Sequence, residues 1–305
     1  MRTAFPDALV RLAKADPKVL LLTGDHGYAL FDQFRKLCPA QYINAGIAEQ
    51  NMVGMAAGLA RAGFRPIVYG LSAFVPVRVL EQIKLDIAHD QLPVILIGDG
   101  AGFVYSSLGT SHQSTEDIAC ARAIPHLAVY SPADRFELTA CMDMAYQSKA
   151  PVYIRMGKSD RGDVHANPLD SGIGGLLQLR RGEVGDIAFI ATGALVCTAL
   201  DIAQASYPRA SVWSAPVIKP INEAQVSDIC RQSRAIAVFE EHSVLGGLGS
   251  VIAEISSESA PVRILRIGVQ DRFSQHCGTY NYLLKEHGLD QAGIEKRLQD
   301  FMAIN

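Results

Sequence analysis

Residues 41–60, QYINAGIAEQNMVGMAAGLA, predict a short strand, a turn and then a helix. Gln41 to Ile43 form the extended lead-in, and Asn44 to Gly46 turn the chain. From Ala48 onward, apolar side chains recur at the spacing that places them on one face of a helix. Glu49 is the only charged residue of the stretch and falls in the first turn of the helix. A carboxylate there either complements the helix dipole or, in an apolar pocket, has a raised pKa and shares a proton. The local pattern leaves both interpretations open.

The rest of the chain alternates strand-like and helical segments. Short runs rich in β-formers and bounded by turn residues predict strands at 19–23, 41–43, 66–69, 93–97, 127–130, 152–154, 187–191, 210–213, 235–239 and 262–266. Amphipathic segments predict helices at 2–15, 48–62, 73–89, 135–147, 194–205, 223–232, 247–256, 280–287 and 291–302. This rhythm predicts an α/β fold with mostly parallel sheets and helices on both faces. Ligands of such sheets bind beyond the carboxyl ends of the strands, so the turns after Thr23, Tyr69 and Ile97 are candidate functional positions.

The alternation fails between Met156 and Gly185, where glycine, proline and polar residues crowd together. We place the domain boundary near Asp163 to Gly174, within a linker that has room for an edge strand. The sequence therefore predicts two domains, residues 1–165 and 186–305, joined by a linker at 166–185. Each domain is expected to be a mostly parallel sheet flanked by helices.

The composition describes a globular protein long enough for two domains, with 305 residues, 49% hydrophobic and 19% charged. A net charge of -3 offers no electrostatic case for a nucleic acid or an anionic membrane as partner. Six scattered cysteines without a CxxC pair predict reduced thiols in a cytoplasmic protein. Charged residues punctuate the N-terminus and no apolar run reaches membrane-spanning length, so we expect neither a signal peptide nor a membrane segment.

Several motifs together resemble the transketolase family. Residues 46–51 (GIAEQN), followed by AAGLA at 56–60, are similar to the family's central motif, in the domain that binds the aminopyrimidine ring of thiamine diphosphate. The resemblance covers essentially the whole chain and includes VIKPI at 217–221, EEH at 240–242, GGLG at 246–249 and DRF at 271–273. It implies a pyrimidine-binding domain followed by a transketolase C-terminal domain.

The resemblance assigns cofactor-binding roles to four residues of the first domain. By motif match, Glu49 is the catalytic glutamate that hydrogen-bonds a ring nitrogen of the aminopyrimidine and favours its imino tautomer. Phe74 matches an aromatic residue that stacks on this ring, a contact worth about 0.5–1.5 kcal/mol beyond burial. Leu71 occupies the position of a second, commonly aromatic residue, and Asp25 matches a Gly-Asp turn near the cofactor. Without the resemblance, Phe74 would be interpreted as helix core.

The loop GTSHQ at 109–113 follows a predicted strand and carries His112. Imidazole binds sugar hydroxyls or relays protons to them, and the resemblance assigns His112 catalytic and substrate-binding roles. Leu108 departs from the family, where an aspartate that recognises a sugar hydroxyl is usual. The departure implies an atypical ketose donor or acceptor.

Three basic residues resemble family positions that bind a substrate phosphate: Arg2, Arg155 and Lys158. The alignment around Arg155 and Lys158 is ambiguous, so both are candidates. Each is also compatible with an ordinary surface charge.

The chain lacks the family's diphosphate-binding segment. GDG at 98–100 resembles the start of the magnesium-diphosphate motif, but the asparagine it requires is absent around 125–127. The GGLG loop lacks nucleotide-binding spacing, and His276-Cys277 is too small a cluster for a metal. We therefore expect no metal site on this chain. We expect it to be the C-terminal subunit of a split enzyme, in an α2β2 heterotetramer. An N-terminal subunit would bind the diphosphate with Mg²⁺ or Ca²⁺ and share the cofactor.

The expected activity is transfer of a two-carbon ketol unit between sugars or sugar phosphates. One alternative is the β subunit of a 2-oxo acid dehydrogenase, which shares the architecture; Gly46 and the serine-histidine-glutamine of the 109–113 loop favour the transketolase side. Another is a non-catalytic paralogue, against which the presence of Glu49, Phe74 and His112 argues.

Overall fold

The computed structural model describes residues 3–158, 160–169 and 172–303, which form two sheets. The strands, in chain order, are β1 Val19–Thr23, β2 Tyr42–Asn44, β3 Arg65–Leu71, β4 Ile95–Asp99, β5 Ala128–Tyr130, β6 Val152–Met156, β7 Leu177–Arg180, β8 Ile187–Ala191, β9 Ser211–Ser214, β10 Val217–Lys219, β11 Ala235–Ser243 and β12 Arg263–Val269. The helices are α1 Ala4–Ala15, α2 Asp32–Leu37, α3 Glu49–Arg61, α4 Leu80–Gln82, α5 Asp117–Arg122, α6 Arg135–Gln147, α7 Leu195–Ala205, α8 Glu223–Gln232, α9 Leu248–Ser259, α10 Tyr280–Glu286 and α11 Gln291–Ala303.

The first sheet has the strand order β10-β5-β6-β4-β3-β1-β2 and is parallel except for β10. The predicted strands of the first half are all present, with ends shifted by up to two residues. Strand β10, which the sequence pattern did not predict, comes from the second half of the chain and pairs antiparallel with β5, Val217 opposite Tyr130. It ties the second half of the chain to the first sheet.

The second sheet has the order β12-β11-β8-β9-β7, parallel except for the edge strand β7. Strand β7 lies inside the segment predicted as a linker with room for an edge strand, and it pairs with β9, Leu177 opposite Ser214. The predicted fold class, two mostly parallel sheets flanked by helices, is confirmed. The domain boundaries at 165 and 186 stay a prediction.

Helix α3 packs against the first sheet through the face that the sequence pattern selects. Met52, Val53, Ala56 and Ala57 are buried in one cluster with Val68 of β3 and with residues of β1. Glu49 is the first residue of α3 and its residue surface is 5% exposed. Burial of the apolar face of α3 therefore also buries Glu49 at the beginning of the helix.

The predicted helix 73–89 is wrong. A 3₁₀ turn at Val77–Val79, the short helix α4 and a π-helical turn at Ile83–Ala88 replace it. Pro76 lacks an N–H and its ring obstructs the preceding turn, so a regular helix does not form across it. The irregular segment places Phe74 and Arg78 next to the beginning of α3.

No helix within the described ranges is long and apolar enough to cross a membrane.

Candidate functional site

The turn between β2 and α3 brings Glu49 to the carboxyl edge of the first sheet. Gly46 has a φ of 70°, which favours glycine, and its amide donates to Oδ1 of Asn44 at 2.9 Å. A Cβ added at Gly24, in the turn after β1, would lie 3.0 Å from the carbonyl oxygen of Gly46. Two glycines thus let the turns after β1 and β2 approach closely beside Glu49.

Arg78 links Glu49 to the candidate stacking residue Phe74. Its Nη1 atom lies 3.2 Å from Oε2 of Glu49, and its Cζ atom lies 3.8 Å from the centroid of the Phe74 ring. This is an ion pair combined with a cation–π contact. Sequence reasoning missed Arg78, because this residue lies in a 3₁₀ turn after Pro76, where the sequence predicted a regular helix.

Two histidines pack around Phe74. The ring of His112 meets it edge-on with centroids 5.4 Å apart, and the ring of His26 lies 6.2 Å away. Nε2 of His26 is buried and has no hydrogen-bond partner among the described residues. A buried polar atom without a partner is costly unless a ligand or water satisfies it. Sequence reasoning assigned His26 no role, and the structure adds it to the site.

His112 lies on a closed loop after β4. Its amide donates to the carbonyl of Gly109 at 3.0 Å, and its Nδ1 is 2.9 Å from the hydroxyl of Ser111. Leu108, in the same loop, is 54% exposed. Arg78 connects Glu49 to Phe74, and the Phe74 ring meets His112; the roles assigned to these three residues stay a prediction.

Asp25 and Leu71 flank this group differently. The carboxylate of Asp25 accepts a hydrogen bond from the hydroxyl of Tyr28, in the turn after β1. Leu71 is buried at the end of β3. The role of Asp25 toward the cofactor stays a prediction, and Leu71 contributes an apolar side chain to the protein interior.

The three basic residues predicted to bind a substrate phosphate differ in their surroundings. Arg2 lies outside the described residues. The side chain of Arg155 is 2% exposed; its Nε donates to both oxygens of buried Asp117, at 2.8 and 3.1 Å. Its Nη2 donates to backbone carbonyls, so Arg155 holds the interior together and offers no exposed donor in this conformation. Lys158 is one-third exposed, with Nζ 2.9 Å from Asp160 and 5.3 Å from the ring centroid of Tyr280.

Lys158 lines a cavity of about 550 Å³ at the carboxyl ends of β1, β3, β4 and β6. Its other walls include Phe5, Tyr28, Tyr69, Asp99 and Tyr105. The hydroxyl of Tyr69 donates to Asp99 at 2.8 Å. The cavity is large enough for a small sugar phosphate and lies where open α/β sheets bind ligands.

Within the described residues, no group of three or more histidine, cysteine, aspartate or glutamate side chains is arranged to hold a metal ion.

Comparison with known proteins gives the class of protein. The family model described as transketolase, pyrimidine binding domain matches residues 1–162, and the one described as transketolase, C-terminal domain matches residues 177–294. The chain belongs to the transketolase family, whose enzymes use thiamine diphosphate.

Relatives of similar length identify the kind of transketolase. The chain is 34% identical to a subunit of the apulose-4-phosphate transketolase of Phocaeicola vulgatus, over 99% of this chain and 97% of that protein. It is 33% identical to a 6-deoxy-6-sulfo-D-fructose transketolase subunit of a Clostridium species, over 95% of this chain and 90% of the other. Among solved structures, one described as a split gene transketolase, inactive beta4 tetramer, has a TM-score of 0.90 at 32% identity, covering 99% of this chain and 98% of that one. The chain is of the C-terminal, or beta, subunit kind found in split transketolases, and the predicted resemblance is confirmed.

The residues at this edge fit the aminopyrimidine half of thiamine diphosphate. A buried carboxylate, an aromatic ring and the unpartnered Nε2 atom of His26 meet there. Glu49 has one oxygen paired with Arg78, which leaves the other to accept from a ring nitrogen. A planar, hydrogen-bonding heterocycle matches these partners.

Proposed function

We propose that this chain supplies the aminopyrimidine-binding half of an enzyme that transfers a two-carbon ketol unit between sugars. An N-terminal subunit supplies the binding site for the diphosphate of the cofactor and for Mg²⁺ or Ca²⁺. The two kinds of subunit form an α2β2 assembly. The observation that carries the proposal is the buried carboxylate of Glu49, which Arg78 connects to Phe74, whose ring in turn meets His112. The similar split-gene structure is an inactive tetramer of beta subunits, which supports the need for a partner.

The residues have distinct roles toward the cofactor and the sugar. When bound, the cofactor supplies a nucleophilic thiazolium carbon and an electron sink for the two-carbon unit. Glu49 holds a proton at the ring nitrogen of the aminopyrimidine, because a buried carboxylate at a helix N-terminus is a fixed hydrogen-bond acceptor. Phe74 orients the ring by stacking. His112, within aromatic contact of Phe74, binds a sugar hydroxyl or moves its proton.

The sugar is proposed to be an atypical, anionic ketose. Leu108 presents an apolar side chain where the family's aspartate would meet a sugar hydroxyl, so a sugar that lacks or displaces that hydroxyl is favoured. Lys158 is the candidate for the anionic end of the substrate, since it is partly exposed in the cavity at the strand ends. The two relatives named for apulose 4-phosphate and a sulfonated deoxyfructose support this choice.

All six cysteines, each within the described residues, are unpaired, which supports a reducing compartment, the cytoplasm.

The test is to express the chain alone and together with an N-terminal transketolase subunit. We expect ketol transfer from an anionic ketose to an aldose acceptor only from the assembled pair, with cofactor binding appearing in parallel. Robust activity of this chain alone would overturn the split-site proposal. Release of carbon dioxide from pyruvate by the pair would assign it to the 2-oxo acid dehydrogenase class instead, and an inactive but cofactor-binding pair would support a non-catalytic role.

A further inference from the structure

Residues 103–113 form a closed loop that carries Leu108 and His112. Its neck is a pair of backbone hydrogen bonds: the Gly102 amide donates to the Ser114 carbonyl at 2.8 Å, and the Ser114 amide donates to the Gly102 carbonyl at 3.0 Å. A loop closed in this way moves largely as a unit with its neck. The position of His112 therefore depends on what holds Gly102 and Ser114.

The neck is held by the end of β11, which belongs to the second sheet. Oε1 of Glu241 accepts a hydrogen bond from the amide of Phe103 at 2.6 Å. The amide of Ser243 donates to the carbonyl of Thr115 at 2.6 Å. Buried Arg155 joins the two, since its Nη2 donates to the carbonyl of Glu241 at 2.8 Å and to that of Ser114 at 3.3 Å. Both strands of the neck are thus bonded to the C-terminal half of the chain.

The carboxylate of Glu241 is itself fixed. It is 2% exposed, and its second oxygen accepts from the hydroxyl of Tyr280. Gly102 has a φ of 68°, and a Cβ added there would lie 2.1 Å from Oε1 of Glu241. The loop backbone therefore rests directly against this carboxylate, in a space that only glycine allows.

A second anchor from the same half of the chain lies beside His112. Oε1 of Gln113 accepts from the hydroxyl of Ser274 at 2.9 Å, and that hydroxyl is 3.0 Å from Nε2 of His287. The ring of His287 stacks on Phe103 with centroids 4.9 Å apart. The loop is therefore held at its neck and next to its histidine by residues distant in sequence.

We propose that Glu241 is a positioning residue for His112: by holding the Phe103 amide, it makes the C-terminal domain set where the imidazole meets the sugar. This rests on the proposed function of His112. Because reacting groups must be placed to within a fraction of an ångström, a displacement of about 1 Å costs roughly 100-fold in rate. The reach of the side chain, rather than its charge, is what matters.

Two variants separate reach from charge. Glu241→Asp keeps the charge but withdraws the carboxylate by one methylene from the Phe103 amide. Glu241→Gln keeps an oxygen at the same reach and loses the charge. In the enzyme assembled with its partner, we expect kcat to fall about 10- to 100-fold for the Asp variant and to stay within about threefold of wild type for the Gln variant. Thiamine diphosphate affinity stays unchanged in both. The reverse ranking, or equal effects, would overturn the proposal.

Epistasis with His112 excludes a merely structural effect. In a His112→Ala background, Glu241→Asp should lower kcat by less than about a further twofold. If Glu241→Asp instead damaged the enzyme independently of His112, its effect on kcat would multiply with that of His112→Ala. If His112→Ala alone retains wild-type kcat, the proposed function of His112 fails. If His112→Ala is impaired but Glu241→Asp is not, only the positioning role fails.

Amide hydrogen exchange tests the anchor without any assay of activity. In the wild-type chain, the amides of Phe103 and Ser114 should exchange as slowly as those at the end of β11, and more slowly than those at the loop tip. Glu241→Asp should accelerate exchange at Phe103 by about tenfold or more, and Glu241→Gln should not. Exchange at Phe103 as fast as at the loop tip in the wild-type chain would overturn the proposal, even if the Asp variant fails to fold.

Discussion

Nη1 of Arg78 lies 3.2 Å from Oε2 of Glu49, although the two residues belong to different elements on either side of β3. The guanidinium also covers one face of the Phe74 ring. The guanidinium of Arg78 thus contacts both groups that are proposed to hold the aminopyrimidine. In the proposed function, the other oxygen of Glu49 contacts the cofactor.

Glu49→Gln should abolish most of the ketol transfer of the assembled enzyme while leaving the fold intact. An amide cannot exchange a proton with the ring nitrogen, so we expect kcat to fall roughly 100- to 10,000-fold. The measurement is steady-state kinetics, with circular dichroism to verify the fold. Glu258→Gln, at an exposed carboxylate on α9, is the matched control and should behave as wild type. Near-normal turnover of Glu49→Gln would remove Glu49 from the mechanism.

Arg78→Met should destabilise the chain, because it leaves the buried carboxylate of Glu49 without its cation. Arg78 is 46% exposed, which weakens the pairing, so we expect a loss of only about 1 kcal/mol in the free energy of unfolding. Urea unfolding of the isolated chain measures it. In a Glu49→Gln background the same substitution should cost clearly less, because the charge it served is gone. Equal costs in both backgrounds would mean that the contact is energetically neutral.

Leu108→Asp should shift the enzyme toward ordinary pentose phosphates by restoring a carboxylate that accepts from a sugar hydroxyl. One such charged hydrogen bond corresponds to about a tenfold gain in kcat/KM for that donor. Because Leu108 is 54% exposed, the stability of the variant should change by less than about 0.5 kcal/mol. Leu108→Ala, which only opens space, is the control. The same gain with alanine would show that room, and not hydrogen bonding, sets the preference.

Lys158→Ala should raise KM for the anionic donor about tenfold with little change in kcat, as expected for a contact made equally in the ground and transition states. High ionic strength should narrow the difference from wild type, because the lysine is partly exposed. The assay compares an anionic ketose with an uncharged one, for which KM should not change. Lys149→Ala removes an exposed lysine after α6 and serves as the charge-matched control. A KM effect of equal size on the uncharged sugar would argue against anion recognition.

Glu240→Gln should change how stability depends on pH. Burial raises the pKa of Glu240 to about 7, although two amides at the start of α9 donate to it. The folded chain therefore binds a proton that the unfolded chain releases near pH 4.5, so this group's stabilisation is complete below pH 4.5 and lost as pH rises through 7. Burial lowers the pKa of neighbouring His242 to about 4, and its contribution is lost as pH falls from 6.5 through 4. The two trends oppose each other in the wild type.

The Gln variant removes only the first trend. Its free energy of unfolding relative to wild type should rise between pH 4.5 and 7, by at most about 3 kcal/mol. Urea unfolding at a series of pH values measures this difference. A difference that is flat across the range would place the proton elsewhere.

Local pattern predicted the elements whose signals lie within them. Strands β1 and β8 begin and end at the predicted residues because each is an apolar run between turn residues. Helices α6 and α8 also begin and end at the predicted residues. The side chains of Asp134 and Asn222 cap their first turns by accepting hydrogen bonds from backbone amides. The prediction of a helix at 73–89 was wrong because the apolar periodicity continued across Pro76, where a regular helix cannot continue.

The motif at residues 41–60 determined that a carboxylate would begin an apolar helix, and family resemblance pointed to its partners Phe74 and His112. Only the tertiary structure decided that Arg78 pairs with Glu49, that Arg155 is buried against Asp117, and that Glu241 holds the loop of His112. The spacing of apolar residues predicts which face of a helix is buried, because side chains three or four residues apart lie on the same face. Contacts between sheets join residues far apart along the chain, and no local pattern encodes which of them meet.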